Sequence, residues 1–337
     1  MRQSSATIRS PATIRDVARM AELSVASVSR VLNGHSNVQQ DTRERVLSAV
    51  SDLGYVPNAA ARSLSTARSD AIGVVLPDLH GEFFSELVRG LDKAASERGY
   101  MLLLSTMHAS SALASQAIAA MRGRVDGLIV MAPQIGAADM GYTLPVGVPT
   151  VLVNSRGELG RHILRVDNAA GVRAMVRHLL DIGREAIVHI SGMADNLDGA
   201  ERRDAYLAAM AQMAPSLPVR VLEGDFSDAA GTNLTNQLLD EGAPFDAIFA
   251  ANDMMALGAV MALRGAGIDV PGRVAVAGFD DVPLARYLAL STLRVDVAGV
   301  GERAIARLVD EIQGIAGPAT LELQTPELMV RASTGDC

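Results

Sequence analysis

The sequence of 337 residues is longer than a single hydrophobic core of ordinary size usually supports, so its length predicts two or three domains. With 49% hydrophobic and 20% charged residues, its composition excludes a disordered chain. No run approaches the roughly 18 apolar residues of a membrane span, and the first twelve residues lack the apolar stretch of a secretory signal. The one cysteine, Cys337, excludes an internal disulfide framework and a paired-cysteine metal site. We therefore expect a soluble cytoplasmic protein that binds no membrane.

Charge is distributed unevenly along the chain. Residues 1–69 hold nine arginines against five acidic residues, a net charge of +4, so the remaining residues carry −12 of the total of −8. A basic N-terminal segment on an acidic body indicates that only this segment meets a polyanion such as DNA. An ordinary basic surface is the alternative that charge alone leaves open.

The N-terminal segment predicts three short helices. The first begins after Thr13, which Asp16 follows three residues later in the pattern of a capping box. Its apolar residues recur on one helical face, at Ile14, Val17, Ala18 and Ala21. Ser24 is a good N-cap for a second helix, which Asn33-Gly34 ends, and a third helix runs from about Gln40 to Leu53.

Two short helices joined by a tight turn and supported by a third form a helix-turn-helix, whose second helix enters the major groove of DNA. The second helix here carries short polar side chains and one arginine, which let it approach the groove closely: Ser24, Ser27, Ser29 and Arg30. A small helical cap that binds no nucleic acid is the alternative.

A further short helix is predicted just after this unit. Asn58 can cap residues 59–64, which are too few to hold a helix alone in water, so this helix should form only against a partner chain or DNA. The alternative is a plain linker up to Asp70.

The segments TIRDVARMAELSVASVSRVLNG and DTRERVLSAVSDLGYVPNAAARSL, at residues 13–34 and 41–64, resemble the lac repressor family of bacterial transcription regulators. The resemblance implies that base edges are read by Val25, Ala26 and Arg30. It implies phosphate contacts for Ser24, Ser27, Asn33, Asn37, Thr42 and Tyr55. It places a hinge helix in the minor groove through Asn58, Ala61 and Leu64, with Leu64 wedged between base steps. One departure is Gln39, where a Ser or Thr usually caps the third helix.

From Ala71 the sequence alternates short apolar runs with helical segments, a pattern typical of parallel sheets covered by helices. The predicted strands are 72–76, 101–105, 127–131, 150–153, 186–190, 219–222, 247–250 and 274–277. The predicted helices include 84–98, 169–182, 200–213, 230–240 and 254–266. Because these strands are too many for one small sheet, we predict an α/β core of two lobes.

The family resemblance makes this a periplasmic-binding-protein-like core in which the chain crosses between lobes three times, near Val166, Val295 and Ala319. The predicted division is a DNA-binding headpiece at 1–57, a hinge helix and linker at 58–70, an N-terminal lobe and a C-terminal lobe. The N-terminal lobe comprises residues 71–166 and 296–318, and the C-terminal lobe comprises residues 167–295 and 319–337.

Polar loops follow most of the predicted strands, at the sheet edge where ligands of parallel sheets bind. Carboxylates, amides, an arginine and phenylalanines suit a polyhydroxylated ligand, because planar polar groups bind neighbouring hydroxyls and a ring covers the apolar face of a sugar. Alternatively, each polar residue only caps the helix it precedes, as Asn252 and Asp253 can.

The resemblance implies a small effector bound by Asn154, Arg202, Phe226, Asn252 and Asp280, together with Asp78 and Phe83. These last two lie in a loop where Gly81-Glu82 replaces the Asn-Pro common in the family. Asn196 and Asp198 stand where a purine-binding relative has Arg and Thr, so a sugar or sugar derivative is expected rather than a purine.

The sequence contains no phosphate-binding loop, no HExxH and no metal-like spacing of its six histidines, so we expect neither catalysis nor a cofactor nor a metal. We predict a repressor that binds a palindromic operator with a central, easily kinked CG step. We also predict a homodimer, because no leucine heptads follow Val330 to form a tetramer. A solute-binding protein for a transporter is the alternative, although it has no use for residues 13–64.

Overall fold

The computed structural model describes residues 12–34, 37–56, 68–108, 110–157 and 160–335. The chain divides into two separate units, Met1–Ser69 and Asp70–Cys337. No helix in these described stretches is both long and apolar enough to span a membrane.

The first unit contains the three predicted helices, α1 (Ile14–Met20), α2 (Val25–Leu32) and α3 (Gln40–Leu53). The capping box at the start of α1 is confirmed, because the Thr13 hydroxyl accepts from the backbone N–H of Asp16 and the Asp16 carboxylate accepts from that of Thr13. The three helices enclose a small apolar core of Val17, Ala18, Ala21, Val28, Val31, Val46 and Ala49.

The ends of α3 follow from its flanking residues. Gln39 makes no side-chain hydrogen bond to the helix, as its departure from the family pattern implied, and Gly54 ends α3 in the left-handed conformation at φ +57°. Arg45 donates to the carbonyl of Ala21 at 2.5 Å, which ties α3 to the turn after α1. The predicted hinge helix, with Asn58, Ala61 and Leu64, lies outside the described residues.

The second unit alternates strands and helices. Its strands are β1 (Ala71–Leu76), β2 (Met101–Thr106), β3 (Gly127–Met131), β4 (Thr150–Val153), β5 (His162–Val166), β6 (Ile187–Ser191), β7 (Arg220–Glu223), β8 (Ala247–Ala250), β9 (Ala275–Ala277), β10 (Thr292–Arg294), β11 (Leu321–Gln324) and β12 (Glu327–Met329). Its α-helices are α4 (Glu82–Glu97), α5 (Ser111–Met121), α6 (Ala137–Thr143), α7 (Asn168–Asp181), α8 (Leu197–Met213), α9 (Asp228–Glu241), α10 (Asp253–Gly265), α11 (Pro283–Tyr287) and α12 (Val297–Gln313).

The strands form two parallel sheets and one short antiparallel pair. The first sheet has the order β11-β5-β4-β3-β1-β2, and the second has the order β7-β6-β8-β9. The strands β10 and β12 pair with each other in antiparallel fashion. Every residue of β1, β3 and β4 is buried, as expected for parallel strands covered on both faces. The predicted α/β class with two parallel sheets is confirmed.

We call the first sheet with its helices the first lobe, and the second sheet with its helices the second lobe. All eight predicted strands are present, with ends that agree within one residue. The predicted helices begin up to three residues too late, because their first turns are polar capping segments rather than apolar repeats.

The third chain crossing lies later than predicted. Residues 319–337 were assigned to the C-terminal lobe with a crossing near Ala319, but β11 pairs with β5 from Leu321↔Ile163 to Gln324↔Val166. The crossing therefore follows Gln324. Backbone hydrogen bonds to β5 place β11 at the edge of the first sheet. The sequence LELQ of β11 alternates apolar and polar residues, so it does not stand out as an apolar run.

Close helix packing within the lobes depends on glycines. A Cβ on Gly90 of α4 would lie 2.0 Å from the carbonyl oxygen of Ala298 in α12, and one on Gly258 of α10 would lie 2.0 Å from that of Asp228 in α9. These helix pairs cover the faces of the two sheets, and their loops carry the polar residues at the carboxyl ends of the strands.

Candidate functional site

The helix α2 presents one face away from the small core of the first unit. Its Val28 and Val31 are buried, whereas Ser24, Val25, Ala26 and Arg30 are exposed, with Val25 at 42%. Such an exposed N-terminal turn is the part of a helix-turn-helix that reaches base edges. The Ser24 hydroxyl also accepts from the N–H of Ser27 at 3.1 Å, so it holds the helix start in place.

The other predicted DNA contacts lie around the ends of α2 and α3. Asn33 and Asn37 are exposed, and the Asn33 amide donates to the Ser29 hydroxyl at 3.3 Å. Thr42 is half-buried in the first turn of α3. Tyr55 is half-buried after Gly54, where it packs against the apolar core of this unit. These four side chains thus occupy the helix ends, where phosphate contacts are expected.

A cavity of about 520 Å³ opens between the two lobes of the second unit. This volume is in the range of small-molecule sites, and the carboxyl ends of strands from both sheets form its walls. All seven predicted effector residues line it: Asp78, Phe83, Asn154, Arg202, Phe226, Asn252 and Asp280.

Arg202 on α8 is the buried cation of this cavity and is held from several sides. Its Nε donates to Oδ1 of Asn168 at 2.8 Å, and its Nη1 donates to the carbonyl of Ala251 at 2.5 Å. Its guanidinium carbon lies 3.6 Å from the ring centroid of Phe279, a cation–π arrangement. Its Nη2 lies 3.5 Å from Oδ1 of Asp280.

Asp280 follows β9 in a strained backbone conformation at φ +110° and is only 5% exposed. Its Oδ1 accepts no hydrogen bond from any residue that the structure describes. Burial raises the pKa of Asp280 to about 7, although the nearby Arg202 opposes that shift. Its 3.5 Å ion pair with Arg202 is too long for a good hydrogen bond, so this buried oxygen is suited to receive a hydroxyl from a ligand.

Two further acids are buried around this pair. Asp253 accepts from the Thr292 hydroxyl at 2.6 Å and from the N–H of Val282 at 2.9 Å, and burial raises its pKa well above the ordinary value. Burial likewise raises the pKa of Asp198, which accepts from the Asn168 amide at 2.9 Å. Both carboxyl groups are therefore held inside the site by hydrogen bonds from the protein.

Phe226 and Asn252 form one wall together. The Asn252 amide donates to the carbonyl of Phe226 at 2.9 Å, and its Oδ1 accepts from the N–H of Met255, so it caps α10 and also positions a cavity residue. Gly192 makes room for the ring, since a Cβ there would lie 2.0 Å from Cζ of Phe226. The capping role and the site role of Asn252 are thus compatible.

The first lobe contributes the opposite wall. Phe83 and Phe84 meet edge to face with ring centroids 5.4 Å apart. Asp78 accepts through Oδ1 from the N–H groups of Leu79 and His80, which shapes the loop after β1. Asn154 is buried after β4 at φ +40°.

Three hydrogen bonds join the lobes beside the cavity. The N–H of Leu197 donates to the carbonyl of Pro133 at 2.9 Å, and Arg156 donates to the carbonyl of Asp195 at 3.4 Å. The Glu82 carboxylate accepts from the N–H of Leu284 at 2.9 Å. Contacts of this kind link the ligand cavity to the relative placement of the lobes.

The sequence did not predict the role of Asn168. This residue is 2% exposed and holds the Nε of Arg202, while its amide donates to Asp198 and to Glu201, which in turn pairs with Arg165. It directly follows β5 and Asp167. Polar residues were expected in the site only where they follow a predicted strand. Because β5 is not among the predicted strands, Asn168 was not included.

No group of three or more His, Cys, Asp or Glu side chains in the described part of the chain is placed to hold a metal ion. The groups that surround the cavity can donate and accept hydrogen bonds and cover an apolar surface. This arrangement is suited to binding a small polar molecule.

Comparison with known families agrees with both units. The model for bacterial regulatory proteins of the lacI family matches residues 13–58, and the model for a periplasmic binding protein-like domain matches residues 176–334. The HTH-type transcriptional regulator GalS from Salmonella typhimurium is 36% identical over 313 residues, which cover 90% of this chain and 90% of that protein. CelR from Thermobifida fusca is 34% identical over 346 residues, which cover 95% and 98%.

Solved structures show the same likeness. A lac repressor dimer bound to operator and the anti-inducer ONPF has a TM-score of 0.86 at 28% identity, covering 97% of this chain and 100% of the other. A CelR–cellobiose complex has a TM-score of 0.70 at 30% identity, covering 96% and 99%. The helix-turn-helix and the two-lobed core thus define a DNA-binding transcription regulator. The chain belongs to the lacI family of bacterial regulatory proteins.

Proposed function

We propose that this protein is a cytoplasmic repressor that binds a palindromic operator as a homodimer and releases or retains it according to a sugar-like effector in the cavity. One observation carries the effector part: the cavity places the Arg202–Asp280 ion pair between aromatic side chains of both lobes, and the 3.5 Å separation of the pair leaves Oδ1 of Asp280 able to accept a hydrogen bond from a ligand. The vicinal hydroxyls of a sugar can form hydrogen bonds with this pair, and the apolar face of its ring can pack on the aromatic side chains. We propose no catalysis and no cofactor.

The relatives support this proposal. One solved structure is a lac repressor dimer with operator DNA, and another is a regulator with cellobiose. By analogy, the headpiece spans 1–57 and the hinge and linker 58–70, and the two lobes share the rest of the chain. The effector contacts are Asp78, Phe83, Asn154, Arg202, Phe226, Asn252 and Asp280.

For DNA, we propose that Val25, Ala26 and Arg30 read base edges in the major groove. Apolar Val and Ala sense thymine methyl groups and groove shape, whereas an arginine forms paired hydrogen bonds with guanine. The phosphate contacts would come from Ser24, Ser27, Asn33, Asn37, Thr42 and Tyr55. Asn58, Ala61 and Leu64 would act at a central CG step.

Operator selection from a random DNA pool tests the DNA part. The selected sites should be palindromes, and Arg30→Ala should cost roughly 1–3 kcal/mol and relax specificity at one base pair per half-site. If Arg30→Ala weakens binding equally to all sequences, Arg30 contacts phosphate instead.

A panel of neutral sugars and other metabolites, screened for thermal stabilisation of the full chain, tests the effector part. A ligand that binds only the native state raises the melting temperature, and operator titration with and without it then shows whether it acts as inducer or co-repressor. Arg202→Ala should abolish the stabilisation. A panel in which no sugar stabilises the protein contradicts a sugar effector.

A further inference from the structure

Four α-helices direct their N-termini toward the ligand cavity, and each carries an acidic residue in its first turn. These residues all line the cavity: Glu82 on α4, Asp198 on α8, Asp228 on α9 and Asp253 on α10. An N-terminus of a helix ordinarily attracts anions, through its unpaired N–H groups and the positive end of its dipole. Here a carboxyl group of the protein already occupies that favourable position in every case.

In three of these helices, one first-turn N–H is also engaged by a neutral side chain. Asn196 caps α8, Ser227 caps α9 and Asn252 caps α10, each through a hydrogen bond to a first-turn N–H. These N–H groups are therefore satisfied without any help from a ligand.

The cavity offers little positive charge to an anion. Among its described lining residues, Arg202 is the one arginine, there is no lysine, and His80 and His108 are the two histidines. Its guanidinium already contacts Asn168, Ala251, Phe279 and Asp280. A carboxylate or phosphate is bound best by an open guanidinium fork, which this geometry does not provide.

The remaining polar groups favour ligands that donate hydrogen bonds. Beyond its 3.5 Å ion pair with Arg202, the buried Oδ1 of Asp280 accepts no hydrogen bond from the described residues, and the exposed carboxylates of Asp78 and Asp225 add negative charge at the mouth of the cavity. A hydroxyl can donate to these oxygens, whereas a carboxylate or phosphate group brings only acceptors and meets the negative charges of Asp78 and Asp225.

We propose that the cavity selects uncharged polyols and rejects sugar acids and sugar phosphates, because first-turn carboxyl groups of the protein already occupy the anion-attracting ends of four helices. This inference rests on the proposed function of the cavity as the effector site, and it assigns a specificity role to Asp228, a residue that sequence reasoning did not single out.

The test uses the full chain and compares a matched series: the neutral sugar that binds best, its uronic acid and its 6-phosphate, by isothermal titration calorimetry. The two anions should bind at least about tenfold more weakly than the neutral sugar at low ionic strength, and the gap should narrow as salt screens the mouth of the cavity. An anion that binds as tightly as its neutral parent overturns the proposal. If neither the neutral nor the anionic sugars bind, the proposed function fails instead.

Substitutions in α9 test whether the acid at its N-terminus contributes to the discrimination against anions. Asp228→Asn and then Asp228→Lys should narrow the neutral-to-anion affinity ratio stepwise, by roughly threefold and tenfold, because the charge at the N-terminus of α9 changes by one and two units. Asp240→Asn removes the same charge from the exposed end of the same helix that lies away from the cavity, and it should leave the ratio unchanged. Equal ratios in the parent and both Asp228 variants contradict the proposal.

Discussion

Arg202 organises the ligand cavity at the scale of single residues, and Asn168 holds it there. The carbonyl of the Asn168 amide accepts from Arg202, and its NH₂ group donates to Asp198 and Glu201. An amide is the one uncharged side chain that can accept on one side and donate twice on the other. The direction of the Arg202 guanidinium therefore depends on a residue that lies behind it, outside the set of cavity residues.

Asn168→Leu should weaken effector binding about 10-fold or more, since it leaves the Nε of Arg202 and two carboxylates without their partner in a buried place. Effector affinity is measured by calorimetry and operator affinity by titration without effector, which should stay near that of the parent. Asn236→Leu, on the exposed side of α9, serves as the control. Unchanged effector affinity in Asn168→Leu would show that Arg202 is oriented by its other contacts.

We expect Asp280 to make folding stability depend on pH. Burial raises its pKa to about 7 from 3.8, so between these values the folded state holds a proton that the unfolded state has lost. Its contribution to the free energy of unfolding therefore falls as the pH rises toward 7, by up to about 1.4 kcal/mol per pH unit, and is constant above that.

The difference in unfolding free energy between parent and Asp280→Asn should follow that slope in urea titrations from pH 5 to pH 8. Comparing the two proteins separates this slope from the opposite effect of His189, whose pKa burial lowers to about 4. A difference that stays constant over this range would mean that Asp280 does not titrate there.

At the scale of elements, the sequence predicts the strands that are apolar and does not predict the strands that contain polar or charged residues. The eight predicted strands are short apolar runs, whereas β5 contains His162 and Arg165, and each of β10, β11 and β12 includes a charged residue. Edge strands and short pairs are held by backbone ladders, which leave little trace in the side-chain pattern. The crossing after Gln324 was misplaced for the same reason.

The contact between α9 and α10 depends on a glycine that offers a direct test. A Cβ on Gly258 would meet the backbone of Asp228 at 2.0 Å, and backbone cannot swing aside as a side chain can. Gly258→Ala should therefore destabilise the protein by about 1–3 kcal/mol in urea unfolding, through forced separation of the two helices.

Gly265→Ala in the same helix is the matched control for this substitution, because nothing lies within 4 Å of a Cβ there. Alanine in an open helical position should stabilise by up to about 1 kcal/mol. Equal changes in stability for the two variants would show that the helices tolerate the added methyl group.

At the scale of the whole molecule, the charge division found in the sequence coincides with the division of the structure at residues 69 and 70. The predicted effector residues come together because parallel strands bring their carboxyl ends to one edge, which the sequence pattern could predict. The positions of Asn168 and of the three lobe-joining hydrogen bonds could not be predicted, since they depend on how two sheets meet rather than on either sheet alone.

Two substitutions, one in each unit, should separate DNA binding from effector response. An effector can change operator affinity only through its different affinity for two arrangements of the protein. The two sites are therefore coupled in energy, although they share no residues. Arg202→Ala removes the buried cation of the cavity and should leave operator binding intact while abolishing the response to effector. Leu64→Gly removes the predicted minor-groove wedge and should abolish specific operator binding while leaving effector affinity nearly unchanged.

Titration of labelled operator with and without the identified effector, together with calorimetry of the effector alone, measures both properties in each variant. The coupling requires opposite patterns: Arg202→Ala binds operator with the same affinity at every effector concentration, and Leu64→Gly binds effector but no operator. If Leu64→Gly binds operator like the parent, the predicted hinge helix takes no part in this coupling. If Arg202→Ala still responds at parental effector concentrations, the effector does not depend on the Arg202 guanidinium. That result would place the effector site outside the cavity.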